Sequence, residues 1–73
     1  MENLTAIFSG LTASQLKAIW EDDKRKAGVI YPYEPGFYDL REGGSQVEGE
    51  AQQIMFLIGA VADNGFACLL SVR

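Results

Sequence analysis

The sequence predicts one small α+β domain over residues 1–73, with elements in the order α-α-β-β-α-β. Three observations predict it. Residues 45–63 are the most apolar stretch and repeat their apolar positions at helical spacing. Residues 11–16, Leu-Thr-Ala-Ser-Gln-Leu, spell a helix start. Residues 29–33, 37–41 and 66–72 are rich in β-branched, aromatic and apolar side chains, as strands are. The expected architecture is a three-stranded antiparallel or mixed sheet packed on one main helix, about 45–63, with two N-terminal helices beside it.

In chain order, Asn3 can cap a short helix over residues 4–9, with Leu4, Ile7 and Phe8 as its apolar stripe and Gly10 as its end. A strand over residues 5–8 is the alternative. The second helix starts at the cap Thr12, with Gln15 closing a capping box and Leu11 and Leu16 forming a hydrophobic staple. It runs to about Ala27, with Leu16, Ile19, Trp20 and Ala27 on its buried face, and Gly28 caps it. Its run Glu21 to Lys26 is a solvated, self-paired helix end, with Glu21–Arg25 and Asp22–Lys26 in the favourable i,i+4 order.

Residues 29–33 and 37–41 flank Glu34-Pro35-Gly36 and read as two strands joined by a loop. Pro32 lacks a backbone donor, so the first is short or lies at an edge. Gly43-Gly44 reads as a flexible connector into the main helix. There, Ser45 and Glu48 fit a second capping box, and Asn64-Gly65-Phe66 fits a left-handed helix end with an apolar contact. Asp63-Asn64-Gly65 is also a hairpin signal, which makes paired strands at 53–61 and 66–72 the rival reading. The helix is preferred, because residues 54–58 lack the polar alternation of a one-sided strand. Residues 66–72, apolar on both faces except at Ser71, are expected at the centre of the sheet.

Composition narrows the function. The chain has no histidine and one cysteine, so a zinc site and His-based acid–base chemistry are not expected, and no cofactor is implied. Cys68 lies among Ala67, Leu69 and Leu70 and reads as a small buried hydrophobe, in keeping with a reducing, cytoplasmic setting. No secretory leader is visible, and the unbroken apolar run 54–62 is about half of the roughly 20 residues a membrane span needs. The net charge of −4 falls entirely within residues 27–50, where Glu34, Asp39, Glu42, Glu48 and Glu50 face Arg41 alone. An acidic surface disfavours direct nucleic-acid binding and suits a protein with a basic surface.

Two groups of residues are candidates for binding. Tyr31, Tyr33, Glu34, Tyr38, Asp39 and Glu42 combine aromatic contact area with acidic charge and are the expected partner-binding set. Phe56 falls on the polar side of the main helix near Gly59 and Ala60. That side is either covered by the N-terminal helices or joins two copies as a homodimer. Glu48 and Glu50 stand two apart on the expected helix and do not converge, and no P-loop spacing follows Gly43-Gly44. The expected function is therefore a non-enzymatic, acidic, intracellular protein-binding module, an inhibitor or adaptor of the kind carried by phages and other mobile elements. A self-associating structural protein is the alternative, and a mimic of nucleic acid that fills a basic groove is a lesser one.

Overall fold

Six elements alternate along the chain in the computed structural model, which describes residues 2–73. They are β1 (Asn3–Phe8), α1 (Ala13–Ala27), β2 (Gly36–Asp39), β3 (Ser45–Glu50), α2 (Ala51–Asp63) and β4 (Leu69–Val72). The four strands form one antiparallel sheet in the order β2-β3-β1-β4. Each β-α-β unit thus leaves a gap that a strand of the other unit fills, the split β-α-β or ferredoxin-like connectivity. Both helices pack on the same face of this sheet.

The α+β class holds, but three strands under one main helix with two N-terminal helices is corrected to four strands and two helices. The first correction concerns residues 4–9. They form β1, the alternative weighed for 5–8, because a helix of so few residues has too few hydrogen bonds to offset its nucleation. As a strand, the same residues alternate cleanly: Ala6 and Phe8 are buried, with Leu4 on the same side, and Thr5 and Ile7 face away.

The second correction concerns the main helix, which begins at Ala51 and not at Ser45. Residues 45–50 form β3, the strand between β2 and β1, with Ser45 and Val47 buried. A central strand satisfies its backbone on both sides, and that outweighs a cap formed by Ser45 and Glu48. Gly49 also disfavours a helix by about 1 kcal/mol relative to Ala. The helix-start chemistry moves to the end of the strand: Gln53 Oε1 accepts the Glu50 N–H at 3.1 Å.

Gly43 and Gly44 are consequently not a helix connector. Both take positive φ, 92° and 84°, in the turn that joins β2 to β3 as a hairpin. Residues 29–33 are irregular rather than a strand. Pro32 removes a ladder donor, and Tyr31 leaves the backbone line to stack on Trp20 with ring centroids 5.2 Å apart. The last strand is Leu69–Val72, and it lies at the sheet edge beside β1 rather than in the centre.

Most of the remaining local readings hold, although Ala27, expected on the buried face of α1, is exposed at its end. Thr12 Oγ1 accepts the Gln15 N–H at 3.1 Å, and Gln15 Oε1 accepts the Thr12 N–H at 2.9 Å. Leu11 and Leu16 are both buried, as the staple requires. Gly28 ends α1 in the left-handed conformation. At the end of α2, the Phe66 N–H donates to the Val61 carbonyl and the Gly65 N–H to that of Ala62, a Schellman arrangement. In the charged run, Lys26 Nζ meets Asp22 at 3.0 Å, whereas Glu21 pairs with Lys24 at 3.5 Å and not with Arg25. The bond from Lys26 holds the Asp22 carboxyl below the usual carboxylate range and raises the lysine.

The core lies between sheet and helices. Phe8, Val47 and Ala6 from the sheet meet Leu16 and Trp20 of α1 and Ile54, Leu57 and Val61 of α2. Trp20 is fully buried and takes Phe56 edge-on at 5.6 Å as well as Tyr31. Among the described residues, no helix is long and apolar enough to cross a membrane.

Candidate protein-binding surface

Strand register places each candidate side chain. On the helix-covered face one row across the sheet reads Phe37, Val47, Ala6 and Val72, and the next Asp39, Ser45, Phe8 and Leu69. On the open face one row reads Tyr38, Gln46, Ile7 and Ser71, and the other pairs Gly36 and Thr5 through Glu48. The acidic, tyrosine-rich segment therefore wraps one edge of the sheet, along β2 and the loops on either side.

The three tyrosines separate. Tyr31 is partly buried and packs against the core, its ring meeting those of Trp20 and Phe56. Tyr33 is 68% exposed, and its carbonyl accepts from the buried Gln53 amide, which fixes the loop while the ring stays in solvent. Tyr38 is 53% exposed and lies along the open face. Its ring covers Gly36, where a Cβ would stand 2.8 Å from ring carbons.

The acidic residues differ as well. Glu34 is exposed and 3.8 Å from Lys17, a surface pair of little energetic weight. Glu42 is exposed in the β2–β3 turn. Asp39, although exposed, has structural work: its Oδ1 accepts the Ala13 N–H at 2.8 Å, satisfying a free donor at the start of α1. Asp39→Ala should lower stability by about 1 kcal/mol, with Asp39→Asn losing less because the amide oxygen still accepts. A thermal melt followed by circular dichroism reads this as about 4–8 °C for a domain of this size. An unchanged melt for Asp39→Ala would leave the side chain free for binding alone.

The second candidate set lies on α2 where α1 crosses it. Phe56 is half-buried against Trp20 and Tyr31, and Ala60 is buried. Gly59 is exposed, and a Cβ there would meet nothing within 4 Å. Beside them a shallow groove of about 430 Å³ runs between Asp23, Lys26 and Ala27 of α1 and Met55 and Asp63 of α2. One helix, α1, together with Tyr31 therefore covers Phe56 in part, in place of the two N-terminal helices expected there.

Sequence reasoning missed two features. Gln53, on the polar side of the helical projection, is buried and ties the Tyr33 loop to the start of α2. The apolar edge formed by β4 was hidden because the same residues were expected inside the sheet. Comparison with protein-family models, with curated proteins and with solved structures gives no match to this chain.

Proposed function

We propose that this chain is a small, acidic, non-catalytic protein-binding module of the cytoplasm, an inhibitor or adaptor that recognises a basic protein surface through the β2 edge. The observation that carries this reading is the pairing, on one sheet edge, of exposed Tyr33 and Tyr38 with exposed Glu34 and Glu42. Exposed aromatic area beside acidic charge is the composition of a binding hot spot with an electrostatic rim. A non-catalytic role accords with the side-chain chemistry: Asp39 is engaged by a helix start, Glu34 faces a lysine, and the chain has no histidine. Connectivity of this kind serves many unrelated activities and carries no weight here.

Tyr33→Ala and Glu34→Lys test the reading. Each should reduce a partner recovered from cell lysate by about tenfold or more, as loss of a hot-spot residue does. The thermal melt should stay within a few degrees of the parent, since neither side chain belongs to the core. Undiminished recovery with both variants would remove the β2 edge from recognition.

A further inference from the structure

We propose that β4 is the contact edge of a symmetric dimer, in which the β4 strands of two copies pair antiparallel and join the sheets into one of eight strands. The first ground is unpaired backbone. Arg73 and Thr5 exchange both of their hydrogen bonds, at 2.7 and 2.9 Å, so the preceding pair, Val72 opposite Ala6, is a non-hydrogen-bonded one. The N–H and C=O of Val72 therefore point away from β1, into the open edge.

The second ground is the helix layer. α1 and α2 cover β2, β3 and β1, whereas β4 has its main contacts with β1. Val72 shares a row with the core residues Val47 and Ala6 but overhangs the helices and stays exposed. Leu69 is exposed on the same face, Leu70 (66% exposed) lines a groove with Ile7 of the open face, and Phe66 is exposed just before the strand.

The third ground is charge, and it selects a second copy as the occupant. Residues 64–72 carry no charge, and no proline interrupts them. The opposite edge is guarded, with Pro32, Glu34 and Pro35 before β2 and Asp39 at its end. In an eight-stranded sheet the two β2 strands stand seven strand spacings apart, about 33 Å, several times the Debye length of about 8 Å at physiological salt. The charges that flank β2, Glu34 and Asp39, therefore do not oppose the pairing. Arg41 and Glu42, which line a shallow groove together with Leu70, are of opposite sign. A two-fold axis consumes both unguarded edges and leaves the guarded ones at the ends, so association stops at two.

Light scattering behind size exclusion, from micromolar to millimolar full-length chain, should show a species of twice the 8.0 kDa chain mass. Leu70→Lys should return it to monomer with its circular dichroism spectrum intact, and Tyr38→Lys, on the far edge, should leave the dimer unchanged. Should Leu70→Lys fail to fold, amide hydrogen exchange on the parent chain decides. Protection of the Val72 N–H should rise about tenfold or more with concentration, because that donor has a partner in the dimer alone. A parent chain that is monomeric throughout, a dimer indifferent to Leu70→Lys, or a Val72 amide unprotected at every concentration would overturn the proposal. The β2-edge reading would stand in each case, since its variants lie on the opposite edge.

Discussion

Trp20→Ala should leave the chain largely unfolded at room temperature. The indole is fully buried at the point where α1, α2 and the 29–35 loop meet. Truncating a buried aromatic of this size costs about 3–5 kcal/mol through lost transfer energy and the cavity left behind. The loss also unseats Tyr31 and Phe56, whose ring contacts with Trp20 contribute about 0.5–1.5 kcal/mol each beyond burial. A domain of this length holds about 4–11 kcal/mol in total, so the lower part of that range is exhausted. Trp20→Phe is the informative companion. The buried indole N–H has no acceptor, so phenylalanine forfeits volume but no hydrogen bond. It should fold with a lowered melting temperature. Circular dichroism in a urea series separates the two variants, and a cooperative Trp20→Ala transition close to that of the parent would show that the core does not depend on this ring.

The same tryptophan explains what was legible in the sequence and what was not. Signals complete within a few residues were read correctly: the Thr12–Gln15 box, the Leu11–Leu16 staple, and the Asn64-Gly65-Phe66 helix end. Each is satisfied by neighbours in the chain, and no distant segment can alter it. Ser45 with Glu48 has the same local form and misleads, because β1 and β2 offer residues 45–50 a ladder on each side. Nothing within the segment announces those ladders. Residues 66–72 mislead for a related reason. Apolar character on both faces of a strand usually means cover on both sides, yet here the helices stop short of β4. The acidic middle was legible as charge, whereas the separation of Tyr31 from Tyr33 and Tyr38 was not. It depends on a stack with Trp20, eleven residues earlier in sequence. Phe56 stood out on the polar side of its helix, and the structure shows its cover to be α1 and Tyr31.

Gly44→Ala should be the most damaging single-methyl change in the β2–β3 turn. Two independent costs coincide at this position. Its φ of 84° lies in the left-handed region, which costs an L-residue about 1–2 kcal/mol. A Cβ there would also collide with the Phe8 carbonyl oxygen, a backbone atom of β1 that cannot swing aside. Relieving the collision means shifting β1 against β3, the central pair of the sheet, which adds about 1–3 kcal/mol as overpacking does elsewhere. The sum, about 2–5 kcal/mol, is comparable to the loss of a core side chain. Gly43→Ala isolates the first cost. Its φ is 92°, but a Cβ there meets nothing within 4 Å, so the change should cost about 1–2 kcal/mol. Chemical denaturation of the two variants side by side measures the difference. Equal losses would mean that the collision is relieved without cost, and that β1 is not held against the turn at Phe8. A larger loss at Gly44 would identify the approach of the turn to the Phe8 carbonyl as a close contact that β1 and the β2–β3 hairpin cannot relax without cost.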